Sequence, residues 1–320
     1  MRKKTFLLAV FLCFFNALFF ISAQPVLAFR LSPVIVERHL LPGDDVSGFI
    51  SVSNTSSEAK KYQIFVKRFQ ARGEDGTQDF FDRKDQHDVT TWITPDSEQI
   101  LLSAQQEQKV FYRLHVPVDA ERGGHYAAIF FSETPADAAR ADAVGVSARI
   151  GVLFFLTVDR QAVPEQAEID HFTVLPASTL WHLPVQLDVK IRNSGQAHIR
   201  PRGWLMVKDV FGKEIVELPL NPTYGVILPQ STRRFQVAWV KGSVDETEGL
   251  YAELIHEWKN FAFGRYTAEV QMIYGVHDQT AVARTVFWII PWGLVCFGGL
   301  AIVIVLTCCL MIYRCLRKKR

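Results

Sequence analysis

Five carboxylates, Asp75, Asp79, Asp82, Asp85 and Asp88, crowd a single stretch of the chain. Calcium needs hard oxygen ligands at such density, but also a loop glycine and fixed ligand spacing, and both are missing. The stretch therefore reads as a solvated loop. Of the nine histidines, His115 and His125 come nearest to a pair, on strands expected to be neighbours, and they read as structural or surface groups. Residues 14 to 295 hold no cysteine, so a thiolate metal site, a cysteine nucleophile and a disulfide are all excluded there. No GxSxG, HExxH, GxxxxGK[ST], helix-opening GxGxxG or EF-hand pattern occurs. The expectation is a protein that is not an enzyme and needs no metal or cofactor.

Aromatic residues are the other chemistry available. Trp92, Trp181, Trp204 and Trp239 fall mostly in alternating stretches, where sandwich cores place large rings. Trp258, Phe261 and Phe263 differ, because HEWKNFAFGRY mixes charge with aromatics in the manner of a rim or interface. These three are the candidate binding residues. Asn54-Thr55-Ser56 has the form of a glycosylation acceptor, which a bacterial chain would ignore.

Charge is distributed unevenly. Arg2, Lys3, Lys4, Arg314, Arg317, Lys318, Lys319 and Arg320 occupy the two ends, leaving 27 basic residues against 33 acids between them. Nucleic-acid partners are not expected, since phosphate binding requires clustered positive charge. The basic start, the apolar run from Phe6 to Ile21 and the small residues of Val26-Leu27-Ala28 form a secretory signal, with cleavage after Ala28 or, as the second choice, Ala23. Thr285 to Tyr313 carries no charge. As a helix, Pro291 to Tyr313 would run roughly 34 Å, enough for a hydrocarbon core of about 30 Å. Trp288 and Trp292 at one end and Tyr313 at the other suit the two interfaces, and the basic tail marks the cytoplasmic side. The expected topology is one bilayer anchor, with the domains outside the cytoplasm and the C-terminus inside.

The external part must position any binding residues, and it alternates with period two throughout. Strands are expected at 34–40, 47–54, 61–69, 109–116, 124–132 and 146–158, then at 168–175, 185–193, 203–209, 214–218, 233–239, 266–274 and 281–287. Glu74-Asp75-Gly76-Thr77 is a hairpin turn, and TPADAARADA, Thr134 to Ala143, a flexible loop. Both halves share an order of features: an alternating strand ending in Asn54 or Asn193, later Lys109-Val110-Phe111-Tyr112 or Arg234-Phe235-Gln236-Val237, then Gly124-His125-Tyr126 or Gly264-Arg265-Tyr266. The tyrosines could act as tyrosine corners, with the hydroxyl reaching backbone. The fold expected is all-β, two immunoglobulin-like antiparallel β-sandwich domains in tandem. The boundaries are 1–28 signal, 29–160 first domain, 161–167 linker, 168–287 second domain, 288–313 transmembrane helix and 314–320 tail.

LSPVIVERHLLPGDDVSGFISVSNTSSEAKKYQIFV, ARIGVLFFLTVDR, KIRNSGQAHIRPRGWLMVKDVFGKEI and FGRYTAEVQMIYG together resemble the WxL-interacting proteins of bacterial cell surfaces. The resemblance implies a membrane-anchored, noncatalytic envelope binding or scaffold protein, whose partners are peptidoglycan or a cell-envelope protein. Trp181-His182-Leu183 and Trp292-Gly293-Leu294 spell W-x-L by chance. The first domain also resembles periplasmic pilus chaperones, which implies an alternative function as a tethered chaperone for secreted β-rich subunits. In that case Val144, Val146, Ala148, Ile150 and Val152 would meet a client by strand addition.

Overall fold

The computed structural model describes residues 29–85, 87–134, 149–159, 163–175, 179–180, 183–241, 258 and 261–318. The signal segment with Ala23 and Ala28, Pro135 to Ala148, Trp181, Lys319 and Arg320 lie outside them. The architecture is all-β with one C-terminal apolar helix.

In the first half the strands are β1 (Phe29–Ser32), β2 (Ile35–Leu40), β3 (Asp45–Asn54), β4 (Lys60–Arg72), β5 (Thr77–Phe81), β6 (Ile93–Pro95), β7 (Gln99–Leu102), β8 (Glu107–His115), β9 (Gly123–Glu133) and β10 (Arg149–Val158). One sheet runs β1-β3-β8-β6, and the facing one β2-β10-β9-β4-β5 with β7 also on β4. Pro33 separates β1 from β2, and there the chain passes from one sheet to the other, so that β2 lies parallel to β10. Alternate residues of both sheets fill the core, with Ile50, Val52, Leu102, Val152, Phe154 and Leu156 fully buried.

The second half holds β11 (Ala167–Leu175), β12 (Thr179–Leu180), β13 (Val185–Asn193), β14 (Arg202–Lys208), β15 (Glu214–Pro219), β16 (Ser231–Trp239), β17 (Gly264–Tyr274) and β18 (Gln279–Ile289). Its sheets are β11-β13-β16 and β12-β18-β17-β14-β15. Leu187, Val189, Leu205, Val270, Met272 and Phe287 lie at the centre of a separate core.

Strands 1, 5, 6, 7 and 12 carry no sequence expectation, and each is short. Two to five residues are too few for alternation to register above chance. At the other end, β18 continues to Ile289, so Trp288 belongs to a strand paired with Arg265 and not to the head of the helix. The helix α1 (Trp292–Lys318) begins after Ile290 and Pro291, at a point where proline is tolerated because its nitrogen would go unpaired anyway. Trp292–Arg314 has a mean hydropathy of 2.8 and none of it is buried, so it is long and apolar enough to cross a membrane. Tyr313, Arg314 and Arg317 lie on its last turns, exposed.

Candidate functional site

Two buried asparagines each close the loop that follows a strand. Asn54 ends β3, and its Nδ2 donates to the Glu58, Leu102 and Ser103 carbonyls at 2.7, 3.2 and 3.0 Å. Its Oδ1 accepts from the Ser56 N–H and hydroxyl at 3.0 and 2.6 Å. Asn193 does the same at the end of β13, donating to Ala197 and Ile227 carbonyls at 2.8 and 3.0 Å and accepting from Gly195 N–H at 2.9 Å. The repeated Asn thus plays one role twice, and Asn54, wholly buried, cannot present a glycan.

The first surface is the edge of β10. Leu153 donates its N–H to Val34 across the β2 side, at 3.0 Å. By strand alternation the backbone groups of Gly151 and Arg149 face the same way. The β2 pairing starts only at Leu153 and Ile35, so Arg149 to Val152 is hydrogen-bonded on the β9 side alone among the described residues. Ile150 and Val152 point into the sandwich, while Val144, Val146 and Ala148 lie outside the described residues. From Leu153 onward β10 is an interior strand, so the expected alternating edge is confined to its first residues.

The second surface is the cleft where the two sandwiches meet, about 1120 Å³ and lined by Glu37, Thr157, His198, Arg200, Tyr224 and Tyr274 among others. Here Glu37 of β2 accepts from His198 Nε2 at 2.8 Å and from Arg200 Nη2 at 2.8 Å. The remaining His198 nitrogen, Nδ1, lies 3.4 Å from the Tyr126 hydroxyl. The hydrogen bond from His198, with Arg200 beside it, holds the Glu37 carboxyl down at about 2, while burial pushes the Tyr126 hydroxyl well above its ordinary value. A carboxylate orienting an imidazole could serve a general base, but both ring nitrogens are occupied and the ring is buried. The cluster fastens two sandwiches together. Beside it Leu228 packs against Phe69, Tyr126 and Phe155, and the β4–β5 hairpin tip engages the second half, with Lys190 Nζ 2.7 Å from Glu74.

The third is a cavity of about 650 Å³ at one end of the first sandwich, lined by Arg68, Asp88, Trp92, Asp119, His125 and others. Burial lowers the His125 pKa, and its ring packs 4.4 Å from Trp92. His125 and His115 do not form a pair: they sit on facing sheets, with His115 near Asp45 at 3.8 Å. The five aspartates are divided among separate partners. Asp75 accepts from Thr77, Asp79 and Asp82 face Arg72 and Lys67, Asp85 accepts from His87 N–H, and Asp88 caps a 3₁₀ turn at Val89–Thr91. Among the described residues no group of three or more His, Cys, Asp or Glu side chains is arranged for a metal.

Trp92 and Trp239 are core residues, whereas Trp258, Phe261 and Phe263 are exposed at 73%, 47% and 61%. Tyr266, beside this aromatic stretch, bonds the Phe263 backbone, the tyrosine-corner arrangement; Tyr126 spends its hydroxyl on the neighbouring sandwich.

No protein-family model matches the chain, and no curated protein matches it. Neither comparison supports the WxL-interacting resemblance. Solved structures of pilus chaperone-like fold are similar at low identity. The class 5 fimbriae chaperone CfaA has 11% identity and a TM-score of 0.41, covering 80% of this chain and 98% of that one. The CsuC–CsuE chaperone–tip adhesion subunit pre-assembly complex of Acinetobacter baumannii has 11% identity and a TM-score of 0.38, covering 80% and 97%. The YadV chaperone has 9% identity and a TM-score of 0.39, covering 82% and 100%. A likeness this distant carries no function across.

Proposed function

We propose that this protein is a noncatalytic, membrane-anchored binding module outside the cytoplasm that takes up an extended segment of an envelope protein. The observation that carries the reading is the half-paired start of β10, where Arg149 and Gly151 turn their backbone groups away from β9 at the point where β2 stops. An extended segment added there would complete the ladder, gaining main-chain hydrogen bonds from the sheet. Short recognition of this kind suits a tethered chaperone for β-rich subunits as well as a scaffold for one surface protein. The apolar α1 would hold the module at the bilayer, with the basic tail inside and the signal removed after Ala28 or Ala23.

The test places a photo-crosslinking residue at Val34, exposed where β2 leaves β10, in the full chain in its own membrane. The expected result is an adduct with one extracytoplasmic protein, lost in Arg149→Pro, which removes an outward N–H without touching the β9 ladder. Retention on purified peptidoglycan with no protein adduct would instead make the chain a wall-binding scaffold, as the WxL-interacting resemblance implies.

A further inference from the structure

Strand register places the exposed aromatics beside the start of α1. In the β17–β18 pair Gly264 faces Ile289 and Arg265 faces Trp288. Continuing that register, Phe263 stands level with Ile290, two residues before the helix, and Phe261 follows within the next turn of chain. Strand β12 closes on the same end, with Thr179 opposite Trp288, and Lys241 reaches it from β16, its Nζ donating to the Phe261 carbonyl at 3.2 Å. The far end of β17 instead lies at the cleft between the sandwiches, where Val276 lines the same cavity as Glu37 and Thr157 and its N–H donates to Glu165 of the connecting segment at 2.7 Å. The second sandwich therefore has a helix end and a first-sandwich end, and the exposed rings are at the helix end.

Phe261, Phe263, Trp288 and Trp292 are each 45 to 61% exposed there. Arg265 and Lys241 are exposed beside them. Rings with basic side chains at their margin match the zone between acyl chains and lipid phosphates. We propose that this end of the second sandwich rests in the headgroup region of the outer leaflet, Phe261 and Phe263 entering the lipid while Arg265 and Lys241 meet phosphates. The occupant is the bilayer and not a protein partner because only Ile290 and Pro291 separate β18 from a helix whose apolar stretch starts at Trp292. At about 3.3 Å per extended residue, that link cannot hold the sandwich clear of the membrane. This inference rests on α1 being a membrane anchor. It assigns two of the candidate binding residues to lipid, and its consequence is a fixed tilt of the module, which sets the height at which β10 is presented.

Full-length chains in vesicles containing anionic lipid, carrying Phe261→p-benzoylphenylalanine or Phe263→p-benzoylphenylalanine, test this after irradiation by mass spectrometry. Phe297→p-benzoylphenylalanine in α1 and Phe111→p-benzoylphenylalanine on the first sandwich are the controls, and all four positions are exposed, so folding is not at risk. Lipid adducts at 261, 263 and 297 and none at 111 are expected. Adducts at 297 alone overturn the lipid-resting surface and leave the anchor standing. Absence of adducts at 297 as well overturns the anchor and the inference with it, and a protein adduct at 263 transfers the surface to a protein partner.

Discussion

Asn54 and Asn193 show how much one side chain can decide in a sandwich. Each closes the loop after its strand by satisfying carbonyls from two chain segments, the second of them 34 to 49 residues away. Alanine strips these carbonyls of the amide donor, although Ile227 keeps its bond from Ile199 N–H and Gly195 N–H keeps the Gln166 carbonyl, and each buried group left unpaired costs about 1–3 kcal/mol. Asn54→Ala and Asn193→Ala are each expected to destabilise the chain by roughly 2–4 kcal/mol on that basis. Urea unfolding of the solubilised full chain, followed by tryptophan fluorescence, reads the loss, and a change within error of zero would show that the loops re-form without the amide.

At the scale of elements, the strands divide by whether one or both of their faces are buried. β10 reads Gly-Val-Leu-Phe-Phe-Leu because Val152, Phe154 and Leu156 fill the first core while Phe155 faces the second half. Strand β14 shows a tighter constraint. Gly203 has φ +143°, and a Cβ there would fall 1.9 Å from the Gln271 carbonyl oxygen on β17. That neighbour is backbone and cannot swing aside, so Gly203→Ala is expected to cost more than about 3 kcal/mol. Gly212→Ala is the contrast: φ is +80° but nothing lies within 4 Å, and the cost is only the left-handed conformation, about 1 kcal/mol. Chemical denaturation of the two variants side by side checks the ranking, and equal losses would refute the close-approach argument.

For the whole molecule, the decisive contacts are those that join the sandwiches. Glu37 titrates near 2 when folded against an ordinary 4.5, so its contribution is present above about pH 4.5 and is lost as pH falls toward 2. The carboxylate is partly exposed, so the gain is modest. Glu37→Gln should unfold more easily at pH 7 and should lack that part of the acid-induced loss, so the two stability curves converge as the pH drops. Curves that stay parallel from pH 6 to 3 would mean that His198 and Arg200 do not read the carboxylate charge. Leu228→Ala opens a cavity against Phe69, Tyr126 and Phe155, with an expected cost of about 2–3 kcal/mol. Its signature is a broadened or split thermal transition as the two cores lose their coupling.

The residue order by itself determined the all-β class, most of the long strands, the Asn repeat and the apolar C-terminal helix. These follow from local alternation, chain-end chemistry and hydropathy, which need no partner to be read. Position within a sheet was not readable. Nothing in Ile35-Val36 says that it lies parallel to β10, and nothing in Gly151-Val152 says that pairing on one side stops there. His198 and Glu37 looked unrelated, lying 161 residues apart, until the sandwiches met. The aromatic cluster Trp258, Phe261 and Phe263 was visible as exposed-type residues, yet only the β17–β18 register put two of them level with the helix. Hydrophobic pattern fixes which face of a strand is buried. Which strand lies alongside, and which surface remains open, is decided by long-range pairing, where the energetic choice is made between segments far apart in the chain.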